Sequence, residues 1–197
     1  MAGIIDDMEN TWTKLIDAND LAAGVRRAGA RIAADYRGED LVLVGLLQGA
    51  VFFLADLARA IGAPLRIETM RPRSYGGARA SSGRVELLED LREDIRGWHV
   101  LVVDDIYDSG RTLRFVLDHL ATRQPKSLAV ACLLVKDAAR AAEVEVKYGL
   151  FPIPDVFVVG AGLDLRGLGR NLPDVWGLGP GVSEQAALAE LIAKLVG

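Results

Sequence analysis

One stretch of the sequence, VLVVDDIYDSGRTL at residues 100–113, combines residue types that bind phosphate and sugar. An apolar run leads into Asp104 and Asp105, and Asp108 follows before a small, hydroxyl-bearing turn at residues 109–112. A turn that enters a helix offers backbone N–H groups at the positive end of the helix dipole, so this turn predicts a phosphate cradle. The chain contains no Gly-x4-Gly-Lys-Ser/Thr pattern, which argues against a P-loop nucleoside triphosphatase.

The two adjacent carboxylates would repel a phosphate in that turn unless something else engages them. A divalent cation would remove the conflict, and so would sugar hydroxyls that donate to the carboxylate oxygens. A ribose 5-phosphate would satisfy both halves of the stretch and would leave Asp108 near the ring, free for proton transfer. The alternative is a solvated acidic strand end at which Ser109 only caps a helix. Chance matches become rarer as a motif lengthens, so the whole string favours a ligand site.

Apolar strands and amphipathic helices alternate around this stretch. Strands are predicted at 41–47, 65–69, 85–90, 100–103, 128–135 and 156–159, and helices at 20–36 and 50–61, from about 112 and from about 183. Asp20 and Ser183 are the expected N-caps of the first and last helices. The alternation predicts an α/β fold with a mainly parallel sheet flanked by helices, and such sheets bind ligands at the carboxyl ends of their strands.

Length, charge and cysteine content set further bounds. The chain has 197 residues, is 51% apolar and carries a formal net charge of −4, which fits one domain and argues against a nucleic-acid binder. The single cysteine, Cys132, lies in an apolar run and is expected to be buried. The acidic N-terminal residues and the lack of a long apolar stretch predict no signal peptide and no membrane contact, and therefore a cytoplasmic protein.

The stretch VLVVDDIYDSGRTL resembles the phosphoribosyl pyrophosphate signature of type I phosphoribosyltransferases. Four further segments resemble the hypoxanthine-guanine (6-oxopurine) branch of that family: residues 45–57, 73–77, 133–136 and 153–178. The resemblance covers roughly residues 40–178 and implies the type I phosphoribosyltransferase fold as a single domain over 1–197. Its parts would be a core at about 20–160, a small hood from about 1–19 and 161–197, and a mobile lid loop at about 71–84, which is rich in Gly, Ser and Arg.

The resemblance implies a purine salvage reaction. Hypoxanthine or guanine would react with phosphoribosyl pyrophosphate (PRPP) to give IMP or GMP and pyrophosphate, with Mg²⁺ as cofactor and a homodimer or homotetramer as the assembly. Three alternatives stay open: a xanthine-preferring enzyme, a non-catalytic RNA-binding regulator on the same fold, and a catalytically silent paralogue. The acidic chain argues against the regulator, as do Asp108, Lys136 and Asp164, which catalysis on a purine would use.

The resemblance assigns roles to the residues of the signature. Asp108 would be the general base at the purine N7. Asp104 and Asp105 would hold the ribose hydroxyls, directly or through Mg²⁺. The cradle for the 5-phosphate would consist of Asp108, Ser109, Gly110, Arg111 and Thr112. Asp164 would be a ligand of a second Mg²⁺ and part of the purine site.

The resemblance places pyrophosphate and purine on other segments. Pyrophosphate would contact the backbone of Leu47, Gln48 and Gly49, where the family has a non-proline cis peptide bond, together with Ser74 and Tyr75 of the lid and Arg170. On the purine side, Lys136 would donate to O6, Phe157 would stack on the ring, the Val158 backbone would meet the base edge, and Ile106 or Tyr107 would cover the other face.

Several of these assignments have structural alternatives. Lys136 could emerge into solvent, Phe157 could belong to the core, Arg170 could cap a loop and Asp164 could be a turn residue. The sequence also departs from the family pattern at Gln48, where many members carry Lys, and at Ala161, Leu165 and Gly167 in the hood. None of these departures removes a catalytic group, but they leave ligand affinity and base preference open.

Overall fold

The computed structural model describes residues 11–74, 85–137 and 144–196. In chain order the elements of these ranges are β1 (Trp12–Ile16), α1 (Ala18–Asp35), β2 (Leu41–Leu46), α2 (Val51–Ile61), β3 (Arg66–Ser74), β4 (Val85–Glu89), β5 (His99–Tyr107), α3 (Arg111–Ala121), β6 (Ser127–Lys136), β7 (Tyr148–Ile153), β8 (Val158–Val159), β9 (Val175–Leu178) and α4 (Glu184–Val196). No helix among these residues is long and apolar enough to cross a membrane.

Six strands form the main sheet in the order β4-β3-β2-β5-β6-β7. All neighbours in this sheet are parallel except β3 and β4, which form an antiparallel pair. The mainly parallel α/β fold predicted from the sequence is therefore confirmed. The carboxyl ends of β2, β5 and β6 lie at one edge of the sheet, where the predicted ligand residues follow them.

The central strands are continuous apolar runs because helices cover both faces of the sheet. Every residue of β2 is buried. Leu43 and Leu101 pack with α1 and α2 on one face, whereas Val44 and Val102 pack with α3 on the other. Cys132 is fully buried in the second of these cores, as its apolar surroundings predict.

The bounds of several elements differ from the sequence prediction. The N-cap of α1 is Asp17, whose carboxylate accepts the N–H groups of Asn19 and Asp20 at 2.7 and 2.9 Å, so Asp20 lies in the first turn and the predicted cap is wrong. Ser183 does cap the last helix, since its hydroxyl accepts the Ala186 N–H at 3.2 Å. The predicted strand at 156–159 comprises only Val158 and Val159.

Three strands were not predicted: β1, β7 and β9. β7 has the sequence YGLFPI, and proline and glycine make that stretch read as a loop. As the edge strand of the main sheet it can accommodate Pro152, because only one side of an edge strand needs its N–H groups for pairing. β3 continues through residues 71–74, the first part of the predicted lid loop, because it pairs there with β4, so the prediction of a loop at these four residues is wrong.

A second, small sheet lies beside the main one. It has three antiparallel strands in the order β1-β9-β8 and packs against α4. The buried side chains between them include Trp12, Trp176 and Leu191. The loop between β8 and β9, at residues 160–174, carries Asp164 and Arg170 and is called the hood loop below.

Asp174, at the end of the hood loop, ties the small sheet to the first helix. It is the buried charged residue of the described chain, at 5% exposure. Its carboxylate accepts the Ala18 N–H at 2.8 Å and lies 3.2 Å from the Lys14 ammonium. This contact joins the start of α1 to the segment that carries the hood loop.

We therefore expect Asp174→Ala to lower the free energy of unfolding by about 1–3 kcal/mol, because the Ala18 N–H and the Lys14 ammonium lose their shared acceptor. Asp174→Asn should cost less, since the amide oxygen can still accept from Ala18. Urea denaturation followed by circular dichroism measures both. The exposed first-turn residue gives a control, and Asp20→Asn should change stability by less than about 1 kcal/mol. Wild-type stability of Asp174→Ala would contradict the anchoring role.

Candidate active site

A cavity of about 310 Å³ opens at the carboxyl ends of the central strands. Its lining brings together much of the predicted site: Leu46, Leu47, Gly49, Pro72, Asp104, Asp105, Ile106, Tyr107, Asp108, Ser109, Gly110, Thr112 and Leu113. These residues come from the carboxyl-terminal parts of β2, β3 and β5, from the turns that follow β2 and β5, and from the start of α3. Pro72 and Leu113 were not singled out in the sequence, because neither has a side chain that signals ligand chemistry.

The turn at residues 108–112 leads into α3 at the cavity wall. Gly110 is the N-cap residue of α3 and has φ of 73°, a left-handed conformation that glycine adopts without strain. Because glycine has no side chain, nothing at the cap position covers the first N–H groups of the helix. The positive end of the helix dipole therefore faces the cavity, where it favours a negatively charged group.

The carboxylates of Asp104 and Asp105 lie inside β5 rather than beyond its end, because the strand runs to Tyr107. Both residues are half-buried, and the Asp105 N–H donates to the Asp104 carboxylate at 3.1 Å. Burial and the neighbouring Asp105 charge raise the pKa of Asp104 well above its usual range. Burial also raises the pKa of Asp105, although the positive charge of Arg170 acts in the opposite direction.

The loop at residues 47–49, called the pyrophosphate loop below, lies directly against this carboxylate pair. Its Leu47–Gln48 peptide bond is cis. A Cβ atom at position 49 would lie 1.7 Å from the Asp105 Oδ2 atom, so only glycine fits there. Gln48 is exposed, and the Leu47 N–H donates to the Met70 carbonyl at 2.8 Å.

Lys136 lies between two carboxylates and does not emerge into solvent. Its side chain is only 12% exposed, and its Nζ atom lies 3.3 Å from Asp108 Oδ2 and 3.0 Å from Asp155 Oδ1. The structure thus brings together two predicted site residues, Lys136 and Asp108, and adds Asp155. The sequence analysis missed Asp155 because it follows β7, a strand that the sequence pattern did not reveal.

The hood loop brings Asp164 and Arg170 together. The Arg170 guanidinium lies 2.5 Å from Asp164 Oδ1 and donates to the Gly162 carbonyl at 2.6 Å. The Asp164 carboxylate also accepts the Gly167 N–H at 2.5 Å. Both residues thus stabilise the loop, as their structural alternatives predicted, and the positive charge of Arg170 acts to lower the pKa of Asp105.

The hood loop also packs tightly on the pyrophosphate loop. A Cβ atom at Gly162, whose φ is 109°, would lie 2.1 Å from the Gly49 carbonyl oxygen. The two loops thus have their backbones in contact, which only glycine at 162 permits. This contact holds the hood loop, which carries Arg170, against the loop at residues 47–49.

The residues predicted to contact a purine differ in their exposure. Phe157 is 36% exposed, whereas Val158 is buried. Ile106 is half-buried and lines the cavity. Tyr107 also lines the cavity, but its side chain is buried in the core and its hydroxyl donates to the Val144 carbonyl at 3.1 Å, so Ile106 is the more exposed of the two residues.

Most of the predicted lid loop lies outside the described residues. Ser74 is the last residue of β3, and Tyr75 lies outside the described residues. The roles predicted for both residues at pyrophosphate therefore stay predictions. The same holds for residues 75–84 of the predicted lid loop.

A metal ion at this site would need further ligands, from water or substrate, besides the protein side chains. Within the described ranges, no group of three or more His, Cys, Asp and Glu side chains gathers closely enough to hold a metal ion. The Asp104–Asp105 pair and Asp164 lie on separate segments and offer one or two carboxylates each. Such partial sets suit Mg²⁺, which keeps several waters and usually takes its other ligands from substrate phosphates.

Comparison with known proteins gives the same picture as the geometry. A family model described as the phosphoribosyl transferase domain matches residues 11–166. The chain is 45% identical over 177 residues to a hypoxanthine-guanine phosphoribosyltransferase of Mycobacterium avium, with 87% of each chain covered. It is 42% identical over 170 residues to a hypoxanthine phosphoribosyltransferase of Salmonella typhimurium, with 85% of this chain and 96% of that protein covered.

A solved structure shows the same architecture. The crystal structure of a hypoxanthine phosphoribosyltransferase from Staphylococcus aureus matches with a TM-score of 0.82 and 39% identity, over 88% of this chain and 95% of that chain. This likeness confirms the type I phosphoribosyltransferase fold. Because the family model spans most of the chain and relatives above 40% identity cover 85% and 87% of it, the chain belongs to the phosphoribosyl transferase family.

Proposed function

We propose that the protein transfers the phosphoribosyl group of PRPP to a 6-oxopurine, hypoxanthine or guanine, and releases pyrophosphate. The observation that carries this proposal is the 3.3 Å contact between Lys136 and Asp108, beside a helix N-terminus that suits a phosphate. A 6-oxopurine needs a donor for its oxo group and an acceptor for a ring proton next to the bound sugar, and these two side chains supply that combination. The names of the relatives described above also support it, and none of them favours a xanthine-preferring enzyme or an RNA-binding regulator.

In this proposal PRPP binds along the cavity from α3 to the pyrophosphate loop. The 5-phosphate lies at the start of α3, where the turn at residues 108–112 offers N–H groups and the hydroxyls of Ser109 and Thr112. The ribose hydroxyls donate to Asp104 and Asp105. Pyrophosphate contacts the backbone of the loop at 47–49, with the Arg170 charge on the hood side.

The donor set of the cavity fits Mg²⁺. Asp104 and Asp105 supply carboxylate oxygens on the ribose side, and Asp164 supplies one on the pyrophosphate side, where Arg170 already compensates part of its charge. Bound at these carboxylates, Mg²⁺ would neutralise the charge of the pyrophosphate leaving group. In proteins that bind phosphorylated substrates, Mg²⁺ usually takes only one or two carboxylate oxygens from the protein.

The chain's own residues would act on the ring during transfer. A purine nitrogen forms a bond to C1 of the ribose while the bond from C1 to the pyrophosphate oxygen breaks, and positive charge develops on the sugar. Asp108 takes the proton from N7, and its negative charge near the ring favours the cationic sugar. No covalent nucleophile is needed, so the contribution of the protein is orientation and charge stabilisation.

Recognition of the base would come from three directions. Lys136 donates to O6, Phe157 offers an exposed ring face for stacking, and Ile106 covers the opposite face. The Val158 backbone contacts the base edge, as the resemblance implies. The homodimer or homotetramer and the cytoplasmic location implied earlier stay predictions.

Asp108→Asn tests the general base. The change is nearly isosteric, so the phosphate cradle should survive and PRPP affinity should stay near the wild-type value. Turnover of hypoxanthine should fall by about 10²–10⁴-fold if general-base catalysis is lost. Steady-state kinetics and titration calorimetry separate the two effects. Asp118→Asn, at an exposed position of α3, is the matched control, and an unchanged turnover number under rate-limiting chemistry would exclude Asp108 as the base.

Lys136 should make the enzyme reject adenine. An ammonium has only donors, so it satisfies a 6-oxo acceptor but leaves the 6-amino group of adenine unpaired. A site built to hydrogen-bond one group can disfavour the mismatched analogue by up to ~10⁴-fold. We expect Lys136→Ala to lose much of the activity on hypoxanthine. The ratio of kcat/KM for hypoxanthine to kcat/KM for adenine should also fall. Lys147→Ala is the control, because this lysine pairs with Asp35. Equal use of hypoxanthine and adenine by the wild-type protein would refute the 6-oxopurine assignment.

Removal of divalent cations should stop the reaction. Excess chelator leaves the pyrophosphate and the carboxylates of Asp104, Asp105 and Asp164 to repel each other, so both PRPP affinity and turnover should be lost. Titration calorimetry with PRPP, with and without Mg²⁺, measures the binding, and added Mg²⁺ should restore turnover. Full activity in excess chelator would rule out the metal.

A further inference from the structure

We propose that Asp155 is a positioning residue, which holds the Lys136 ammonium at the edge of the purine and keeps it from fully occupying Asp108. The inference rests on the roles proposed above for Lys136 and Asp108. It adds a second carboxylate that the resemblance did not include. Its basis is the position of the ammonium, 3.0 Å from Asp155 Oδ1 and 3.3 Å from Asp108 Oδ2.

The two carboxylates reach Lys136 from the strands on either side of β6. β5, β6 and β7 are parallel neighbours, and their pairing puts Lys136, the last residue of β6, beside Ile153, the last residue of β7. Asp108 directly follows β5, and Asp155 lies two residues beyond β7. The parallel register therefore places one lysine between two carboxylates at a single edge of the sheet.

The Asp155 backbone is anchored although its carboxylate is accessible. The Val156 N–H donates to the Pro154 carbonyl at 2.9 Å, which closes a tight turn around Asp155. Ile153 before the turn is 2% exposed and belongs to the core. The Asp155 side chain itself is 64% exposed, so it contributes little to core packing and can be replaced without leaving a cavity.

The charges of Lys136, Asp108 and Asp155 explain the role proposed for Asp155. An ammonium paired with Asp108 alone would compete with the purine for both groups, because the base must be free to accept a proton and the lysine must be free to donate to O6. A lysine has three N–H donors, so it can keep one carboxylate partner while it binds the oxo group. Asp155 supplies that partner outside the reaction path, and Asp108 can then turn to N7.

The role predicts a specific pattern in the kinetics. Asp155→Asn keeps the shape and removes the charge, and Asp155→Ala removes the side chain. Both should raise the KM for hypoxanthine so that kcat/KM falls about tenfold, a size typical of coupling between charges in contact. The KM for PRPP should not change, and the preference for hypoxanthine over adenine should narrow. Asp155→Glu should recover part of the loss, whereas Glu145→Gln, an exposed carboxylate near the opposite end of β7, should behave as wild type.

A double-mutant cycle separates this role from the proposed function. If Asp155 acts through Lys136, then Asp155→Asn should have no further effect in the Lys136→Ala background. The same cycle can be measured from the IMP affinities of the wild type, the two single variants and the double variant by titration calorimetry, which does not depend on turnover. Wild-type constants in Asp155→Asn, or an equal loss in the Lys136→Ala background, would overturn the positioning role. Wild-type preference for hypoxanthine in Lys136→Ala would instead overturn the role of the lysine in the proposed function.

Discussion

The site depends on two close contacts of the pyrophosphate loop, one with the Asp105 carboxylate of β5 and one with the backbone of the hood loop, which leave no space for a side chain at residues 49 and 162. A Cβ at Gly49 would lie 1.7 Å from the Asp105 carboxylate, and one at Gly162 would lie 2.1 Å from the Gly49 carbonyl. The pyrophosphate loop is thereby held between β5 and the hood loop. Because tightly packed segments of this kind do not deform gradually, the two contacts hold the loop at residues 47–49 in place between the Asp105 carboxylate and the hood loop.

The charged side chains around these loops already have partners in the free protein, and these partners fix their orientation. Arg170 pairs with Asp164 in the hood, and Lys136 pairs with Asp108 and Asp155 at the end of the sheet. Charges that are held in place in a partly dry site cost little reorganisation when a transition state forms, which is the main way in which enzymes of this kind stabilise developing charge. In the free protein, the Lys136 ammonium is therefore shared between two carboxylates.

The main sheet could be predicted because its central strands carry their signal locally. Residues 41–47 and 128–135 are unbroken apolar runs, which follows from burial on both faces. β1 and β9 could not be predicted in the same way. They are short strands, and the β1–β9 pair joins residues from nearly opposite ends of the chain, whereas β7 forms at the sheet edge by pairing with β6.

The sequence by itself determined the alternation of helices with the central strands of the main sheet, the turn at 109–112 and the residue types that follow β2, β5 and β6. Only the tertiary structure decided which of those side chains meet. It placed Tyr107 in the core, paired Arg170 with Asp164 and set Asp155 beside Lys136. The physical reason is that these contacts join segments far apart in the chain, so they follow from strand register and loop packing and leave no pattern in any single stretch of sequence.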